Sequence, residues 1–219
     1  GAKDGKSYSR WGGFITDVDK FDAKFFNITP KEAEVMDPQE RLFLETAWST
    51  FEVAGFTKDS FIKNQHEIGV FVGVMNDAYS WIGAEESIRG NYTNASSNYW
   101  SIANRVSYYL DLQGPSMAVD TACSSSLTAI HLACESVRRG DCKVALAGGV
   151  NLILHPRQYA RLSSMYMLSS GEKCKAFGEG ADGFVDGEGV GAVLLKSLSQ
   201  AINDGDNIYG VIKGTAINA

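Results

Sequence analysis

Two periods of hydrophobic patterning run along this chain. Ile68 to Met75 (IGVFVGVM) is an unbroken apolar, β-branched run between turn formers, the pattern of a strand buried on both faces. Leu44, Ala47, Trp48 and Phe51 fall at i, i+3, i+4 and i+7, which puts them on one face of a helix. That helix is predicted to open with Asp37 as N-cap, Pro38 at the first helical position and Glu40 closing a capping box, and to stop at Gly55. Arg41 and Glu45 make an i,i+4 pair along it.

Asn76 to Asn98 is polar and reads as a long loop with one helical turn. Ser101 to Leu110 is predicted helical and Ser116 to Asp120 a strand. A helix follows from about Ser124 to Arg139, with Leu127, Ile130, Cys134 and Val137 inward and Gly140 as its stop. Lys143 to Leu154 reads as a strand with a glycine pair at its centre. The glycine-dense, acidic stretch Ala176 to Gly191 leads into a buried strand, Ala192 to Leu195, and Tyr209 to Ile217 is strand-like. Alternating helices and strands define an α/β class. A strand at the very end would leave an open edge, which predicts that the sequence is incomplete.

Composition narrows the function. The 219 residues are 44% hydrophobic, enough to fill the core of one domain over 1–219. Twenty basic against twenty-six acidic side chains leave a net charge of −6, without the basic excess of a nucleic-acid binder. The longest apolar stretch, Val144 to Leu154, falls short of the ~18 residues that a membrane span needs. The start, GAKDGKSYSRWGG, has no apolar signal region, so a cytoplasmic location is expected. Cys123, Cys134, Cys142 and Cys174 form no C-x-x-C pair and read as reduced thiols.

Cys123 is the residue most suited to chemistry. Val119 to Leu127 (VDTACSSSL) places it on a tight turn between a strand and a helix. A thiolate at a helix N-terminus is stabilised by the dipole and by unpaired backbone amides, and the same amides can receive an oxyanion, which suits acyl transfer. Free cysteine is also among the most buried residue types, so position alone leaves inert packing open. Cys134 faces inward on its helix, Cys142 follows a helix-ending turn, and Cys174 lies between Lys173 and Lys175.

A base is harder to find. The chain has three histidines, His66, His131 and His155. His131 lies eight residues along the helix from Cys123, roughly 12 Å away, too far to be a direct base. His66 and His155 flank strands and would reach the thiol only if the fold brought them there. Gly178 to Gly183 fits G-x-G-x-x-G but neither follows a strand nor opens a helix, and its two acidic residues would repel a pyrophosphate. No metal-ligand spacing is present.

Gly114 to Leu127 (GPSMAVDTACSSSL) closely resembles the active-site motif of the β-ketoacyl synthase (ketosynthase) domains of modular type I polyketide synthases. Met36 to Trp48 (MDPQERLFLETAW), Ala145 to Leu154 (ALAGGVNLIL) and Lys173 to Lys196 (KCKAFGEGADGFVDGEGVGAVLLK) agree with the same family in the same order. The GFVDGEGVGAVLLK wording looks most like bacterial assembly lines with separate acyltransferases. The resemblance implies a thiolase-like, layered α/β/α/β/α fold, of which this chain is mostly the first half. It also implies that Cys123 accepts an acyl chain from the phosphopantetheine arm of an acyl carrier protein and that the enzyme joins it to a decarboxylating malonyl unit. No cofactor is expected to bind directly. A homodimer is implied, with Ser116 to Val119 near its axis, and Met117 and Met165 are candidates for lining the acyl pocket.

The family's H-G-T-G-T and N-x-G-H histidine motifs and its G-F-G-G loop are absent from this sequence. The resemblance thus implies a ketosynthase domain over 1–219 that is incomplete at both ends, expected not to condense anything alone and either a fragment or completed by a second chain or by downstream residues. The competing readings are a ketosynthase-like structural or gating portion without chemistry, another thiolase-fold acyltransferase, and a cysteine hydrolase.

Overall fold

The apolar run at 68–73 lies inside a four-stranded sheet in the computed structural model, which describes residues 5–218. The elements in chain order are β1 (Gly12–Gly13), α1 (Pro30–Val35), α2 (Pro38–Val53), α3 (Lys58–Lys63), β2 (Ile68–Gly73), α4 (Ala78–Ile88) and α5 (Tyr99–Tyr109). They continue with β3 (Ser116–Val119), α6 (Ser125–Arg139), β4 (Val144–Asn151), α7 (Arg157–Ser164), β5 (Asp186–Gly187), β6 (Gly189–Lys196) and α8 (Leu198–Asp204). The strand order is β3-β2-β4-β6, with the first three parallel and β6 antiparallel to β4; β1 and β5 form a separate parallel pair.

Period-two alternation divides each inner strand between two helical layers. Ile68, Val70, Val72, Val144, Leu146 and Val150 join Phe43, Leu44, Ala47, Phe51, Ile102, Ala103 and Val106 of α2 and α5 in the main core. Phe71, Ala145 and Ala147 face the other way, onto Ala129 and Ala133 of α6. The result is helix, sheet, helix, the α/β layering expected of the chain. Each fully buried Phe, Leu or Ile contributes about 1.5–3 kcal/mol over its exposed state, so the main core supplies most of the cohesion.

Local signals at α2 are partly realised. Asp37 caps it, accepting from the Gln39 amide at 2.8 Å, and Pro38 opens it. Glu40 does not close the box. Its carboxylate accepts instead from Ser101 Oγ at 2.8 Å and Arg105 Nε at 2.9 Å on α5, a tertiary pairing no local pattern encodes. Arg41 and Glu45 do not form their pair either: Arg41 donates to the Asp19 carbonyl and Glu45 accepts from the Asp22 amide.

Three further expectations are corrected. The stretch read as a loop, Asn76 to Asn98, contains the eleven-residue helix α4, its turns hidden by a scatter of polar residues. On α6 the buried positions are Ser125, Ala129, Ala133 and Ser136, while Leu127 is 71% exposed. Small side chains face the sheet because the helix lies too close to it for large ones; half-buried Ile130 and Val137 pack against the margin of this core as expected, and with Cys134 they line a groove shared with β6 and the segment after α8. Tyr209 to Ile217 pairs with no strand and runs largely exposed.

Among the described residues no helix is long and apolar enough to cross a membrane.

Candidate active site at the turn between β3 and α6

Parallel strands β2 and β3 end together, with Gly73 opposite Val119; β4, in which Gly149 lies opposite Gly73, runs on to Asn151, and Cys123 follows the end of β3. This is the edge of an α/β sheet at which ligands bind. Between Val119 and Ser125 the chain reverses from strand to helix in five residues. Ala122 takes φ +55°, a left-handed conformation that an ordinary L residue seldom adopts.

Side chains of the turn hold that conformation. The Ala122 amide donates to Asp120 Oδ1 at 2.9 Å. The buried Ser125 hydroxyl accepts from the Thr121 amide at 2.9 Å and donates to the Ala122 carbonyl at 2.6 Å. Ser124 Oγ donates to the Thr121 carbonyl at 2.8 Å, and Thr121 Oγ1 is 3.0 Å from Thr128 Oγ1 on the next turn of α6. Cys123 stands at the crest with its side chain exposed.

Two glycines set the depth at which the helix enters the sheet. A Cβ on Gly73 would lie 2.6 Å from the Ser125 carbonyl carbon, and one on Gly149 would lie 2.9 Å from Ser126 Cβ. Real Cβ atoms do not approach so closely, so the N-terminus of α6 rests on glycine backbone. The glycine pair in the strand at 143–154 was the visible sign of this. Gly73, Ala122 and Ser125 carried none that sequence patterns register.

A partly buried polar network braces the same end of the sheet. Gln39 Nε2 donates to the Asn76 carbonyl at 2.7 Å, Asn76 Nδ2 to Asn151 Oδ1 at 2.5 Å, and Asn151 Nδ2 to the Gly187 carbonyl at 2.7 Å. Asp37 Oδ2 accepts from Ser97 Oγ at 2.5 Å, and burial raises the Asp37 carboxyl above its ordinary value although these hydrogen bonds pull it down. Glu188 accepts from the Ile15 and Ile153 amides at 2.9 and 2.8 Å, tying the segment after β4 to the start of the chain.

The other sequence candidates lie outside residues 120–125. Met117 is on edge strand β3 and 39% exposed; Met165 caps the end of α7 and is 58% exposed; neither belongs to a core cluster. Cys142 is buried against Ser136 Oγ, and burial pushes its thiol upward, as it does for half-buried Cys134. Cys174 is exposed and accepts from the Val185 amide at 3.2 Å. His131 is 2.8 Å from Thr215 Oγ1 and His155 is 3.0 Å from Glu85 Oε1. His66 precedes β2, at the opposite end of the sheet from Cys123. The G-x-G-x-x-G stretch is a loop, stapled by Asp182 accepting from the Ser170 amide and hydroxyl and from Ser169 Oγ. These bonds hold the Asp182 carboxyl down at about 2.

A layered α/β fold with an exposed cysteine on a strand-to-helix turn presents a potential nucleophile to solvent. The sequence profile of the family described as Beta-ketoacyl synthase, N-terminal domain matches residues 1–201, and the chain belongs to that family. It is 57% identical over 221 residues to Polyketide synthase PksL of Bacillus subtilis (strain 168), an alignment covering 99% of this chain and 5% of that protein. It is 59% identical over 219 residues to Polyketide synthase PksM of the same organism, covering 98% and 5%. The solved oxazolomycin ketosynthase domain OzmH KS7 of Streptomyces albus JA3453 superposes with a TM-score of 0.90 at 52% identity, over 94% of this chain and 35% of that one. The thiolase-like fold of ketosynthases is therefore the fold of this chain, which spans about a third of the solved domain and a twentieth of the curated relatives.

Proposed function

We propose that Cys123 accepts an acyl chain from the phosphopantetheine thioester of an acyl carrier protein, and that the complete ketosynthase domain extends this chain by decarboxylative condensation with a malonyl unit on a carrier protein. The observation that carries the reading is the exposed Cys123 thiol on the β3–α6 turn of a ketosynthase-family fold. In the first step Cys123 Sγ, having given up its proton, bonds to the thioester carbonyl carbon. The negative charge passes to the carbonyl oxygen and returns as the carbon–sulfur bond to pantetheine breaks, and the pantetheine sulfur leaves and takes a proton. A backbone amide at the turn is the natural donor to that transient oxyanion. In the second step the malonyl unit loses carbon dioxide, its carbanion attacks the acyl carbonyl, and the Cys123 thiolate is the leaving group.

Met117 and Met165 fit the reading as apolar, adaptable walls for the acyl chain, and the open edge of β3 fits a homodimer axis. The reading places the enzyme in the cytoplasm. No cofactor of its own is required, since the carrier's arm delivers the substrate.

The test is the intact mass of the ketosynthase domain carrying this chain after incubation with an acyl-pantetheine thioester at neutral pH, beside Cys123→Ala. One persistent acyl adduct, lost in the variant, is expected. An adduct that water discharges within minutes would favour a hydrolase, and no adduct on folded protein would favour a structural portion.

A further inference from the structure

We propose that Ser125 is the positioning residue for Cys123: its hydroxyl locks the left-handed Ala122 and so fixes the aim of the Cys123 thiol and amide at an incoming carbonyl. The inference rests on the acyl-transfer reading above and deepens it.

Ser125 is the first residue of α6 and 5% exposed, although serine at a helix start normally faces water. Its hydroxyl does not serve the helix as a cap. The N-cap is Ser124, and no side-chain hydrogen bond caps the helix there. Instead Ser125 Oγ reaches back across the turn, accepting from the Thr121 amide at 2.9 Å and donating to the Ala122 carbonyl at 2.6 Å. The two bonds bracket Ala122, whose φ of +55° is strained for an L residue unless its surroundings hold it. Both rotatable bonds that carry Cys123 past this point are thereby constrained.

The latch has a firm footing. Ser125 and Ser126 lie against Gly73 and Gly149, so the hydroxyl is held by helix backbone that cannot settle further toward the sheet. Asp120 and Ser124 also bond within the turn, but both are exposed, and exposed hydrogen bonds exchange readily with water. Ser125 is the buried member of the set. A thiol displaced by about an ångström from its attack line loses on the order of a hundredfold in rate.

The experiment compares two reactions of the same thiol in the ketosynthase domain that carries this chain. Acylation by an acyl-pantetheine thioester needs Sγ and an oxyanion donor aligned together; alkylation by iodoacetamide needs only an accessible thiolate. Ser125→Ala is expected to slow acylation at least tenfold while changing alkylation less than threefold. Equal losses in both reactions, or no loss of acylation, would overturn the proposal. Should Ser125→Ala fold poorly, Ala122→Gly combined with it is decisive, because glycine accepts φ +55° without strain and restores the fold while the hydroxyl stays absent. Continued slow acylation in the double variant supports positioning; a return to the parent rate overturns it, because the thiol is then aimed without the hydroxyl. If the parent domain is itself not acylated, the acyl-transfer reading fails and takes this one with it, whereas an acylated parent with an unaffected Ser125→Ala removes the positioning proposal only.

Discussion

Gly73 on β2 lies so close to Ser126 on α6 that a Cβ at position 73 would overlap the Ser126 backbone. The helix that follows Cys123 is therefore seated directly on the sheet, and Gly149 on the neighbouring strand completes the seat. Gly73→Ala is expected to push the start of α6 outward and to destabilise by about 1–3 kcal/mol, the usual cost of overpacking. Urea denaturation would read the stability and thioester acylation the displacement of Cys123. A fully stable Gly73→Ala protein would show that the helix has room to shift.

Glu40 and Arg105 tie α2 to α5. The Glu40 side chain is nearly buried, with Arg105 Nε and Ser101 Oγ on one of its oxygens. Removing Arg105 leaves a buried carboxylate without its cation, which costs about 3–5 kcal/mol when burial is complete. Since Arg105 is itself a quarter exposed, Arg105→Met should cost about 2–3 kcal/mol, and Arg105→Met with Glu40→Gln less than that. Chemical denaturation of the two variants separates the outcomes.

Burial raises the Asp37 carboxyl, so the folded chain holds this proton more tightly than the unfolded one. Its contribution is thus most favourable below the ordinary carboxylate value of 3.8 and is lost as the pH climbs through the raised one. Asp37→Asn keeps an oxygen for the Gln39 amide and removes the titration. Relative to the variant, the parent's urea midpoint should fall as the pH rises above 3.8; parallel midpoints would contradict this.

Asp182 behaves oppositely. Its carboxyl sits at about 2, held by Ser170 and Ser169, so the loop it staples is favoured above pH 3.8 and loosens as the pH drops toward 2. Asp182→Asn should speed hydrogen exchange at the Ser170 amide at neutral pH, because that amide donates to the replaced oxygen. Unchanged protection would mean that the loop is held elsewhere.

Where each hydrogen bond is made decides how much of the fold was legible. Asp37, Pro38 and Gly140 act on backbone within a few residues, and the helix boundaries they mark are found where expected. The strand at 68–73 is marked because burial on both faces demands an unbroken apolar run. On α6 bulk does not track burial: Leu127 faces solvent, while Ile130 and Val137 pack at the margin of the core. A helix resting on glycine backbone buries its alanines and serines most deeply, and its larger side chains lie at the margins of that contact. Glu40 was misassigned because a capping box and a cross-helix ion pair look alike until α5 is in place.

By itself the sequence determined the α/β class, the family and the turn that carries Cys123, because these depend on local period and on contiguous motifs. Only the tertiary structure decided how that turn is held. The seat of Ser125 and Ser126 on Gly73 and Gly149 and the Asn76–Asn151 brace join residues far apart along the chain, and such contacts exist only once the strands that carry them lie side by side; the Ser125 latch is local in sequence, but that seat is what buries it.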